Sequence, residues 1–127
     1  MIEPGAVFEL PARLAQPPQR SFQENPPERE HRWVLVVSSL NDCSAADCAT
    51  VQTVLLSAQV EYAGPYDVLI LSPDGGVDRD CLAQTDILIT IDKRDLSGAH
   101  GGRYRGTLMA DSLARVRALL RRRLDLP

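Results

Sequence analysis

The chain has 127 residues, 44% hydrophobic and 24% charged, with a formal charge of −3, which suits one domain with a single modest core. No apolar stretch approaches the roughly 20 residues that a membrane helix needs. Met1-Ile2-Glu3-Pro4-Gly5 is acidic and Pro-interrupted, unlike a signal peptide, so a soluble cytoplasmic protein is expected.

Ala6-Val7-Phe8-Glu9-Leu10, entered by Pro4-Gly5, is a short strand candidate. Residues 11–31 follow, with Pro11, Pro17, Pro18, Pro26 and Pro27 among polar side chains. A segment this long and Pro-rich does not join a sheet interior and is expected as a mobile surface loop. Trp33-Val34-Leu35-Val36-Val37-Ser38 is a β-prone run too short for an ordinary helix, and residues 40–48 are turn-rich.

Thr50 to Ser57 reads as a strand through its β-branched residues, although Ala45 to Ala58 has helical stretches that compete. Gly64-Pro65 breaks the chain before a strand at Tyr66 to Leu71, which Ser72-Pro73-Asp74-Gly75-Gly76 closes. Leu82 to Ile91 gives one or two strands broken near Asp86, and Arg103 to Thr107 an edge strand. Leu113, Val116, Leu120 and Leu124 recur at helical spacing with arginines between them, ending at Pro127. Short strands followed by one amphipathic helix predict a mainly β domain. On pattern alone the runner-up is a small α/β fold with helices at 45–58 and 78–85.

The charge is uneven. Residues 1–98 hold 15 acidic and 7 basic side chains, whereas residues 99–127 hold 7 arginines against Asp111 and Asp125. Such a basic end suits a polyanion or an acidic partner, or simply solvates a helix face. Cys43, Cys48 and Cys81 are an odd number, expected as thiols in a reducing compartment. Cys43-x4-Cys48 lacks zinc-knuckle spacing and neither His31 nor His100 sits in a paired pattern, so no metal site is expected.

The order of segments resembles the MazF/PemK-type toxins. Pro4-Gly5-Ala6-Val7-Phe8 is similar to their opening turn and strand, and His31-Arg32-Trp33-Val34-Leu35-Val36-Val37-Ser38 to the arginine-led β-run after their flexible loop. Thr50-Val51-Gln52-Thr53-Val54-Leu55-Leu56-Ser57 resembles their apolar strand closing on a hydroxyl residue. Asp86-Ile87-Leu88-Ile89-Thr90-Ile91-Asp92-Lys93 matches without a gap the strand in which an acidic residue stands six positions before the Asp of a Thr-hydrophobic-Asp-Lys turn. The leucines among arginines from Arg115 to Leu126 resemble the closing helix. Only the loop at 11–31 falls outside the likeness.

The resemblance implies an SH3-like small β-barrel of the plasmid maintenance toxin type, spanning residues 1–127 as one domain and forming a homodimer. It implies the toxin of a toxin–antitoxin pair, an endoribonuclease that cuts single-stranded RNA without metal or cofactor and inhibits growth. The partners implied are a cognate antitoxin, single-stranded RNA and, through the antitoxin complex, operator DNA. Arg32 matches the catalytic arginine, whose planar fork suits a phosphate. Ser57 matches the hydroxyl at the scissile phosphate, and Asp86 the acidic position that acts as base in some relatives. His31, Trp33 and Gln84 are the further substrate-binding candidates. His31 adjoins Arg32 but points to the other face of a strand, and Trp33 is a packing aromatic or a platform for a base.

This chain departs from the pattern at three places. Trp33 stands where a proline follows the arginine, Gln84 where some relatives carry arginine, and Ile89 where many do. A non-catalytic relative that binds a protein such as DNA gyrase, or a nucleic acid, is therefore the alternative function.

Overall fold

Side chains of an extended strand alternate between its two faces, and here both faces are apolar over much of their length. Six strands carry the pattern: β1 (Ala6–Pro11), β2 (His31–Val36), β3 (Thr50–Ser57), β4 (Asp67–Ile70), β5 (Cys81–Asp92) and β6 (Arg103–Thr107). Two helices, α1 (Leu40–Ser44) and α2 (Ala110–Arg123), accompany them in the computed structural model, which describes residues 2–16 and 31–127. The strands form one antiparallel sheet in the order β4-β5-β3-β2-β1-β6.

The sheet curls into a half-barrel in which the chain leaving one edge strand reaches the other edge. The 3-10 turn Asp74–Gly76 after β4 packs against β6. Gly76 has φ +74°, and a methyl there would sit 2.0 Å from the Arg105 carbonyl oxygen. Only glycine permits that approach. The α/β alternative is excluded, since the segments it made helical hold β3 and the start of β5.

Each face has its own core. Ala6, Phe8, Leu10, Val34, Val36, Val51, Leu55, Ile87 and Ile91 pack together, joined by Ala15, Cys43 and Leu96 from the turns. On the reverse face Val7, Leu35, Val54, Val68, Ile70 and Ala83 pack against Val116 and Leu120 of α2. Burying a side chain such as Leu120 stabilises the fold by about 1.5–3 kcal/mol. The N-terminus of α2 has no side-chain cap of its own at Met109. Asp74 supplies one from outside, accepting the Met109 amide at 2.8 Å and the Ser112 hydroxyl at 2.5 Å.

Several details differ from the sequence reading. Residues 40–48 contain the short helix α1, capped by the Ser39 hydroxyl, which accepts the Asp42 amide. Lys93 Nζ closes its other end by donating to the carbonyls of Asp42 and Ala45. β5 is a single 12-residue strand that runs through Asp86, and its pairing to β3 shifts between Val54↔Leu88 and Leu55↔Gln84. The two pairings put three unpaired β5 residues opposite a single β3 step, which is a bulge. α2 stops at Arg123, and Leu124 is its exposed C-cap. Of the segment expected as a loop, Pro11 belongs to β1, Ala12–Leu14 is a 3-10 turn, Ala15 is buried and His31 opens β2. Residues 17–30 lie outside the described residues, and with them most of that expectation.

Candidate functional site

The β2–β3 ladder ends at Trp33↔Leu56. Arg32 on β2 and Ser57 on β3 are the next residues beyond that last pair. Both point to the face of the sheet that carries Val34 and Leu55, because partners in a ladder share a face. Arg32 pairs with Leu10 on its other side, is half-buried, and its Nε is shielded from solvent. Ser57 is half-buried, and its hydroxyl accepts the Gln59 amide at 3.3 Å.

Gln84 joins the same face. It stands opposite Leu55 on β3 and opposite Asp67 on β4. Asp86 is exposed within the bulge of β5, two residues along the strand from Gln84.

His31 and Trp33 lie on the opposite face from Arg32. His31 is exposed at the sheet end, opposite Pro11. Trp33 packs against the core beneath α2, and the Arg105 guanidinium lies 4.7 Å from its ring centroid. Arg105 also approaches the Glu9 carboxylate at 3.9 Å, and Glu9 is the cross-strand partner of Trp33. The structure thus gathers Arg32, Ser57 and Gln84 on one face and leaves His31 and Trp33 on the other, with Asp86 in the β5 bulge two residues from Gln84. Asp67 was not singled out from sequence. The register through Gln84 brings it to this face, and only the paired structure carries that signal.

Other features do not converge on Arg32. Burial raises the Cys81 thiol to about 11, helped by the carboxylates of Asp80, Asp78 and Asp74. Burial also raises the Cys43 thiol, with Lys93 pulling the other way. The two-pronged contact from Arg94 holds the Asp92 carboxyl below its ordinary value and raises the guanidinium in return. An open groove of about 390 Å³ runs between α2 and the chain at Pro4, Val37 and Leu40. It belongs to the α2 side of the sheet. Among the described residues no cluster of His, Cys, Asp and Glu is placed to hold a metal ion, and no helix is long and apolar enough to cross a membrane.

A curled six-stranded antiparallel sheet with a C-terminal helix defines a small half-barrel fold. Residues 17–124 match the PemK-like, MazF-like toxins of type II toxin–antitoxin systems, and the chain belongs to that family. Among solved structures, it is similar to a MazE–MazF complex of Deinococcus radiodurans (TM-score 0.67, 18% identity, covering 99% of this chain and 97% of that one). It is also similar to an endoribonuclease from mycobacterial species (TM-score 0.68, 17% identity, 99% and 93%). A mycobacterial endoribonuclease in complex with its cognate antitoxin gives TM-score 0.65 at 17% identity, covering 99% and 95%. At these identities the likeness is one of fold. No curated protein matches the chain.

Proposed function

We propose that this protein is the toxin of a toxin–antitoxin pair and a metal-independent endoribonuclease that cuts single-stranded RNA, messenger RNA included, and so inhibits growth. The observation that supports the reading is that strand alternation from the Val34↔Leu55 pair puts Arg32 and Ser57 on one face at neighbouring strand ends, within a chain of this family.

Cleavage proceeds by attack of a ribose 2′-oxygen on the adjacent phosphorus. The 2′-proton passes to a base, the bond to the 5′-oxygen breaks, and that oxygen takes up a proton. The products are a 2′,3′-cyclic phosphate and a 5′-hydroxyl. Arg32 donates paired hydrogen bonds to the phosphate as its charge grows, and the Ser57 hydroxyl donates to a second oxygen. Asp86 is the proposed base, exposed at the β5 bulge two residues from Gln84. Gln84 holds substrate beside them. His31 and Trp33, on the other face, are assigned no step.

The partners proposed are a cognate antitoxin, single-stranded RNA, a second copy of this chain and, through the antitoxin complex, operator DNA, all in the cytoplasm. The MazE–MazF and antitoxin-bound relatives support the first. One observation favours a non-catalytic second reading, a barrel that acts by binding a gyrase-like protein or nucleic acid. Ile89, where many relatives carry arginine, packs against the core and supplies no charge. Incubating the purified protein with a long RNA, with and without EDTA, separates the two. Cleavage that persists in EDTA supports the nuclease, and intact RNA in both arms supports the binder.

A further inference from the structure

Asp67, Gln84 and Leu69 occupy the face that carries Arg32 and Ser57, on the outer two strands of that end of the sheet. The alternation of β4 fixes their orientation: Val68 and Ile70 point into the core beneath α2, so Asp67 and Leu69 point the other way. Asp67 is the ladder partner of Gln84, and Leu69 of Leu82, which in turn faces Ser57. Two rows therefore cross the sheet side by side. One runs Arg32, Ser57, Leu82, Leu69; the other runs Val34, Leu55, Gln84, Asp67.

The polar groups at the far end of these rows have hydrogen-bonding capacity to spare. The Asp67 carboxylate accepts the Gly64 amide through Oδ2 at 2.8 Å, which fixes its direction. Nothing among the described residues engages Oδ1, and none of them hydrogen-bonds the half-buried amide of Gln84. Leu69 remains 43% exposed beside them, although strand leucines usually bury.

We infer that Asp67, Gln84 and Leu69 form a subsite for one unpaired guanine base of the RNA, which rests on the RNA-cleaving reading above. A carboxylate accepts two hydrogen bonds side by side, and among the four bases only guanine presents two adjacent N–H donors, N1–H and N2–H, on its Watson–Crick edge. Beyond them lies the O6 acceptor, which the Gln84 amide satisfies by donating. Adenine and cytosine turn a ring-nitrogen lone pair toward the carboxylate. Uracil offers one N–H flanked by two carbonyls. The exposed Leu69 gives the base an apolar surface. The subsite lies two strands beyond Ser57, a separation of about 10 Å, so it reads a nucleotide beside the scissile phosphate and not the phosphate itself.

The test uses 2′-O-methyl hexanucleotides, which the protein binds without cutting, carrying G, inosine, A, C or U at each position in turn. Binding is read by fluorescence anisotropy with the wild type and with Asp67→Asn, whose amide oxygen still accepts the Gly64 amide and keeps the turn. At one position guanine binds roughly 10–100-fold tighter than the other three bases. Inosine, which lacks the N2 amine, falls between them, and Asp67→Asn abolishes the preference while leaving the remaining affinity in place. Gln84→Ala weakens the same preference and serves as a second variant if Asp67→Asn is poorly folded. Equal binding of all bases, no binding at all, or a guanine preference untouched in both variants overturns the inference. Because no cleavage is read, failure of the nuclease reading shows separately, as intact substrate in the long-RNA assay.

Discussion

The Ser112 hydroxyl donates to the Asp74 carboxylate at 2.5 Å, tying the first turn of α2 to the turn that follows β4. Ser112 is 3% exposed, so the bond is made away from water. The same carboxylate accepts the Met109 amide, and Arg115 donates to the Ser112 oxygen at 3.3 Å. Asp74 therefore caps a helix from a distant element and adds to the burial of Val116 and Leu120 in holding α2 against the second core.

Replacing the carboxylate removes two charge-assisted bonds at once. Asp74→Ala is expected to cost about 2 kcal/mol, read as a lower urea midpoint with an unchanged m-value. Asp74→Asn keeps an acceptor for Met109 and stays closer to the wild type. Equal losses for both variants would show that the capping geometry contributes nothing.

Asp92 gives a pH dependence of definite sign. Its folded carboxyl lies below the ordinary 3.8 because Arg94 donates to it from side chain and backbone. A depressed pKa stabilises the fold above the ordinary value and loses that contribution as pH falls through the folded one. The gap in urea midpoint between wild type and Asp92→Asn is thus constant near neutrality and narrows in acid. A gap that widens in acid would reverse the assignment.

The three thiols differ by burial. Cys48 is half-exposed, whereas Cys43 and Cys81 are buried and raised, Cys81 to about 11. At pH 8 about one Cys81 side chain in a thousand is a thiolate. Iodoacetamide followed by peptide mass mapping is expected to label Cys48 first, with the other two waiting on unfolding. Early labelling of Cys81 would contradict its burial.

What the sequence disclosed depended on how local the cause was. β2, β4 and α2 were legible because their apolar spacing is short-range, and Val116 and Leu120 are buried as the helical period required. α1 was hidden, since five residues held by Ser39 and a distant Lys93 leave no periodic trace. Asp86 looked like a break between strands, whereas β5 absorbs it as a bulge while pairing on both sides. At the candidate site, Arg32 and Ser57 were found by resemblance, and their common face follows from the ladder. That Trp33 stacks under Arg105 was beyond reach, because the pairing of β6 with β1, which sets Arg105 two strands from Trp33, is long-range.

Under the proposed function, Arg32 carries the phosphate chemistry. Ile89 is core-packed and Gln84 is neutral, so neither replaces its charge. The direct measurement is the rate of single-stranded RNA cleavage in EDTA by the wild type and by Arg32→Ala, with circular dichroism to verify the fold. Removing a donor of this kind costs ~10²–10³-fold in rate. Ser57→Ala, which removes a neutral hydrogen bond, costs less. The wild type is expected to leave 2′,3′-cyclic phosphate ends, and the folded Arg32→Ala variant to be slowed roughly a hundredfold or more. Cleavage at the wild-type rate by the Arg32→Ala variant, or wild-type cleavage that stops in EDTA, would contradict the proposal.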